Sequence, residues 1–90
     1  MKKYRFKSEN HKQEFASDGF NHTGKEDLKT YNQAVIEFLD AEGLEEFYID
    51  MCEDEAWIMV DGSPAIIMHF DEALMFHLYQ EDIEEYMVEV

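Results

Sequence analysis

The sequence predicts an α+β domain: a small antiparallel sheet, made of a three-strand meander plus a short N-terminal edge strand, packed with two helices. Three observations lead there. Apolar residues recur at helical spacing up to Gly43, the period drops to two directly after it, and a turn at Asp61-Gly62-Ser63-Pro64 separates two further apolar runs. The 90 residues suffice for one domain and one modest core, burying roughly 60–65% of the surface the unfolded chain would expose. At 46% hydrophobic and 14% aromatic, the chain has the apolar side chains that a disordered acidic segment lacks.

Each element has its own signal. Tyr4 and Phe6 alternate with Lys3, Arg5 and Lys7, as in a short edge strand. Residues 8–22 are polar and hold Ser17-Asp18-Gly19 and Asn21, which predicts a loosely structured segment with at most one helical turn around Gln13 to Ala16. Thr23 and Glu26 have capping-box spacing, Gly43 supplies a stop, and Leu28, Tyr31, Val35, Phe38 and Leu39 fall on one helical face between them. Phe47, Ile49 and Met51 then alternate with polar residues as a strand, ended by Glu53-Asp54-Glu55. Ala56 to Val60 and Ala65 to Phe70 complete the meander. Asp71 can cap a second helix whose Phe76, Tyr79, Ile83, Tyr86, Met87 and Val90 share a face; the rival reading breaks it near Glu81 and makes Tyr86, Val88 and Val90 a final strand. Both faces of the central hairpin are apolar, so two covers are needed, and a homodimer or partner surface would supply what the helices do not.

Charge is the feature that bears on function. The net charge is −15, yet from Tyr31 to Val90 there is no Lys or Arg, and 17 of the 22 Asp and Glu lie there. Solubility alone is normally served by interspersed charges of both signs. An excess this one-sided repels itself in the compact state and suits recognition of a basic partner. It therefore predicts a melting temperature that rises with added salt and as pH is lowered from neutrality. The acids are clustered: Glu37, Asp40 and Glu42 at the end of the first helix, Glu45, Glu46, Asp50, Glu53, Asp54 and Glu55 after it, Asp61 in the turn, and Glu81, Asp82, Glu84 and Glu85 near the C-terminal end. Acids at a helix C-terminus face an already negative macrodipole, at a cost of a few tenths to about 1 kcal/mol each. A local rule broken without local gain points to function. These carboxylates, with Trp57 as an aromatic anchor, are the candidate partner-binding residues.

Other chemistry is thin. The single cysteine, Cys52, excludes an intramolecular disulfide and any paired-Cys metal motif, and it fits a reducing compartment. Cys52 with His69 or His77 is the one nucleophile-and-base pairing to consider, and ordinary packing is the simpler role for each. Asp50, Glu53, Asp54, Glu55 and Asp61 lack the spacing of a calcium loop, and the four glycines form no phosphate cradle. No catalytic residue, cofactor or metal site is expected. The basic start has no apolar stretch behind it, which predicts a cytoplasmic protein without a membrane, and the acidity disfavours direct contact with nucleic acid.

In size, charge and mixed helix-strand pattern over about residues 24–90, the chain resembles the small acidic DNA-mimic inhibitors encoded by bacteriophages and mobile elements. Members of that class block uracil-DNA glycosylase, restriction enzymes, CRISPR nucleases or the histone-like nucleoid protein HU. The resemblance implies a host-takeover, anti-defence or immunity role in the host cytoplasm: binding the basic surface of a host DNA-binding protein, HU foremost, and competing with DNA. It transfers no individual residue. The reading from residues alone keeps an alternative, a small structural or regulatory interaction domain that binds through an apolar hairpin face.

Overall fold

The structure, a computed structural model, describes residues 2–19, 30–53, 55–69, 72–75 and 77–90. It is α+β as expected, with an antiparallel sheet and helices on one face of it. The elements run β1 (Lys2–Phe6), α1 (Glu9–Asp18), α2 (Tyr31–Ala41), β2 (Phe47–Cys52), β3 (Glu55–Val60), β4 (Ser63–Pro64), β5 (Ile66–His69), β6 (Glu72–Met75), β7 (His77–Tyr79), α3 (Gln80–Tyr86) and β8 (Met87–Glu89). The main sheet is ordered β4-β3-β2-β1-β8, and β7 joins β4 on the outer side of β3. Strands β5 and β6 form a separate two-stranded sheet.

Four expectations change. First, β1 is an interior strand and not an edge, because β8 pairs with it through Tyr4–Glu89, Arg5–Val88 and Phe6–Met87. Second, residues 9–18 are a helix. Ser8 caps it, its hydroxyl accepting from the His11 N–H at 3.2 Å, and Phe15 is fully buried against Phe6 and Tyr86, with ring centroids 5.4 and 5.6 Å away. One well-placed aromatic thus stabilises a helix that polar composition disguises. Third, the next helix is capped by Thr30, whose hydroxyl accepts from the Gln33 N–H at 3.0 Å; the expected Thr23–Glu26 cap lies outside the described residues. Fourth, no long helix runs through the described residues after 71, and the expected Asp71 cap lies outside the described residues. Residues 72–75 and 77–79 are strands, α3 is only seven residues, and β8 ends the fold, so the rival strand reading holds for the last segment. Within β8 the inward residue is Met87, at 3% exposure, while Val88 and Val90 are exposed and Tyr86 is buried from the end of α3, so these three do not share a strand face.

Local chemistry accounts for the turns. At the end of α2, Gly43 has φ +68°, its N–H donates to the Asp40 carbonyl at 3.1 Å, and the Leu44 N–H reaches the Leu39 carbonyl at 2.8 Å, a Schellman closure. Between β3 and β4, Asp61 and Gly62 have φ of 52° and 82°, the paired positive values of a type I′ hairpin. The expected meander therefore begins as read, but its third strand leaves the sheet after Pro64. The Ala65 N–H holds to the Ile58 carbonyl at 2.8 Å, and the chain then runs out as β5, pairs with β6 and returns as β7 beside Glu55–Trp57. That hairpin packs against α2, where His69 is buried and stacks on Tyr31 at 4.6 Å between ring centroids.

The core lies between the helices and one sheet face: Phe15, Val35, Leu39, Phe47, Ile49, Ile58, Ile67, Leu78, Ile83 and Tyr86 are all buried. Residues opposite each other in an antiparallel register share a face. Ile49 opposes Ile58, and Ala56 opposes Leu78, so these face inward, while Tyr48, Asp50, Cys52, Glu55, Trp57, Met59, His77 and Tyr79 face outward. No described helix covers that outer face.

Candidate functional site

The seven Lys and Arg all lie before Tyr31, and the four described lysines are set against acids or carbonyls from later in the chain. Lys2 pairs with Glu89 at 3.4 Å, Lys3 with Glu46 at 3.7 Å, and Lys12 with Asp40 at 2.7 Å. Lys7 Nζ donates to the Glu84 carbonyl at 2.7 Å, placing a cation at the C-terminus of α3 where the macrodipole favours it. Arg5 and Lys12 share an open cleft of about 620 Å³ with Asp40, Glu45 and Glu46. Of the acids at the end of α2, Asp40 is answered by Lys12 from α1, and Glu46 just beyond the helix is answered by Lys3 from β1, which removes part of the local anomaly seen in the sequence.

Elsewhere the acids have no such answer. Asp50, Glu53 and Glu55 are exposed, and among the described residues no amine lies within ion-pair distance of them. They sit where β2 passes into β3, and Glu53 is held at φ 57°, a left-handed conformation that a side chain adopts at a cost. Glu81 and Asp82 join this end, because α3 starts directly after Tyr79, which lies opposite Glu55. Asp82 also serves the fold, since its carboxylate accepts from the Tyr79 N–H at 3.2 Å.

The candidate acids therefore divide. Asp40, Glu42, Glu45, Glu46 and Asp61 gather at the end of the sheet where β2 begins and β3 ends; Asp50, Glu53, Glu55, Glu81 and Asp82 gather toward the other end, about 17 Å away by strand rise. Glu37, Glu84 and Glu85 are exposed on helices, and Asp54 lies outside the described residues. The fold does not bring the acidic clusters of the sequence together into one group.

Aromatic residues complete the unanswered end. On the outer face Asp50, Trp57 and His77 form one cross-strand row, and Cys52, Glu55 and Tyr79 form the next. Trp57 is half-buried beside His77, with centroids 5.4 Å apart, and His77 meets Tyr79 edge-on at 5.2 Å. Tyr79 is 52% exposed and Tyr48 46%. Tyr79 and His77 were not legible as members of this site, because the helical reading of residues 71–90 put Tyr79 on an inward face.

The enzymatic pairing does not assemble. Cys52 is exposed on the outer face, His69 is buried under α2, and His77 is two strands and one pleat from Cys52, about 10–12 Å by sheet spacing. Among the described residues no group of three His, Cys, Asp or Glu side chains is placed to hold a metal ion, and no helix is long and apolar enough to cross a membrane. Among the described residues the one strongly shifted group is structural. Burial, reinforced by the 2.8 Å hydrogen bond its hydroxyl donates to Asp18, pushes the Tyr86 phenol up to about 12. Burial and the nearby Glu72 charge raise Tyr31 as well.

A second surface is apolar. On the β5–β6 hairpin Ile66 opposes Met75 and Met68 opposes Ala73, and these turn away from α2 with Ile66, Met68 and Met75 exposed by 54, 54 and 58%. Compared with known proteins, the chain matches no family model, no curated protein and no solved structure.

Proposed function

We propose that the protein is a non-enzymatic binding module that occupies the basic DNA-binding surface of a host DNA-binding protein and keeps DNA off it. The observation that carries this reading is the outer corner of β2, β3 and β7. It combines carboxylates that no described lysine or arginine answers with aromatic side chains that no described helix covers. Negative charge brings the basic surface in quickly and in register, and half-exposed rings supply dehydrated anchors at the centre of contact. Asp50, Glu53, Glu55 and Glu81 carry the charge, with Trp57, Tyr79 and Tyr48 as anchors; the acids at the other end widen the negative field. HU is the leading target, since it reads backbone charge more than base sequence. A reducing host cytoplasm fits the exposed free thiol of Cys52.

Displacement of labelled duplex DNA from HU tests this, with uracil-DNA glycosylase and a CRISPR nuclease as further targets. Displacement should be strong at low salt and fade as salt rises; no displacement from any target at low salt sinks the reading.

The β5–β6 hairpin supports a second reading, an interaction domain that docks through Ile66, Met68 and Met75 onto an apolar surface of a partner or a second copy. Its signature is the opposite one, capture that salt leaves unchanged and that Met68→Glu abolishes.

A further inference from the structure

We propose that the outer-face grid of Asp50, Trp57 and His77 beside Glu55 and Tyr79 is a seat for an arginine side chain of the protein partner. This deepens the reading above and rests on it, since it names the group that the basic partner inserts. The register sets two of the rings next to a carboxylate: half-buried Trp57 lies directly across from Asp50, and exposed Tyr79 directly across from Glu55. Cross-strand neighbours stand about 4.5–5.5 Å apart and next-but-one residues along a strand about 6.6 Å. One guanidinium therefore spans a ring and both flanking carboxylates. The three rings are tilted or edge-on to one another, at 58° and 82°, so none is stacked flat against another.

The same face already holds a filled example. Lys3 Nζ sits 5.2 Å over the Tyr48 ring and 3.7 Å from Glu46, an aromatic and a carboxylate clamping one cation. The second seat repeats that recipe with more rings and more acid, and among the described residues no cation of the chain enters it. Charge complementarity thus calls for a cation from outside. Arginine fits better than lysine, because its planar guanidinium stacks on indole or phenol while its edge donates to carboxylates in the same plane.

Trp57 is the single tryptophan, so its fluorescence reports on this seat alone. The full chain is titrated at low salt with a short arginine-glycine peptide and with its lysine and glutamine counterparts. The wild type, Tyr79→Ala and Asp50→Asn are compared, both substitutions being at exposed side chains. The arginine peptide should shift Trp57 emission saturably and bind several-fold tighter than the lysine peptide. Each substitution should weaken it by about three- to tenfold. Equal affinity for arginine and lysine peptides, unchanged Trp57 emission on binding, or full affinity in both variants overturns the seat. If the seat fails while DNA is still displaced from a basic protein, the proposed function stands without it; if displacement fails too, both fall.

Discussion

The part of the molecule built on β1 and α1 and the corner built on β2, β3 and β7 both carry acids, and they treat them oppositely. Around β1 and α1, four lysines are each seated on an acid or a carbonyl from the later chain. At the β2–β3–β7 corner, acids stand beside aromatic rings with no described cation in reach. Net charge therefore does not locate a binding surface. The placement of the few cations marks out a candidate, because it decides which carboxylates already have a partner within the chain.

The contrast between the two regions depends most heavily on the anchoring of α1, since α1 brings Lys12 to Asp40. Phe15→Ala should cost about 3–5 kcal/mol in chemical denaturation, the usual range for a fully buried Phe. A cost below about 1 kcal/mol would mean that α1 is not part of the core.

Next comes charge reversal in the two regions. Lysines at Asp50, Glu53 and Glu55 together should slow association with a basic partner by about 10- to 100-fold while leaving the melting temperature unchanged or higher. Lysines at Asp40, Glu46 and Glu89 should lower stability by about 0.2–1 kcal/mol per exposed pair and slow association much less. Equal kinetic effects from the two triples would erase the distinction between the regions.

A smaller effect probes the tie between α1 and α3. Tyr86 keeps its proton more tightly folded than unfolded, so its contribution is complete below pH 10 and is lost as pH rises through about 12. Tyr86→Phe should remove that share of the alkaline loss and cost about 1 kcal/mol at neutral pH through the missing Asp18 bond. An identical alkaline transition in the variant would contradict this. Smallest is Glu53→Gly, which relieves a left-handed backbone and one unanswered charge; stability should rise by about 0.5–1 kcal/mol, read as a denaturation midpoint.

What the sequence discloses follows from how local each signal is. Gly43, the alternation of β2 and the Asp61-Gly62 turn are short-range chemistry, and all were legible. Helix α1 was not, because nine of its ten residues contribute little apolar pattern and Phe15 acts through tertiary contact. Residues 72–79 read as helix for the converse reason: Ala73, Leu74 and Met75 favour helix locally, and pairing to β5 and β3 overrides them. The acids were legible as candidates. Their division was not, since the Lys–acid pairs bring together residues 28 to 87 positions apart. Trp57 was legible as a candidate anchor, but its neighbours His77 and Tyr79 come from a strand the sequence hid.

Competition between this protein and labelled duplex DNA for HU is the most direct measurement, made at low and at physiological salt with wild type and the Asp50, Glu53 and Glu55 lysine triple side by side. Wild type should displace the duplex and lose about tenfold or more in potency as salt rises, and the triple should fail at both salts. A triple that displaces DNA as well as wild type, or displacement indifferent to salt, would contradict the claim that unanswered carboxylates at this corner stand in for phosphates.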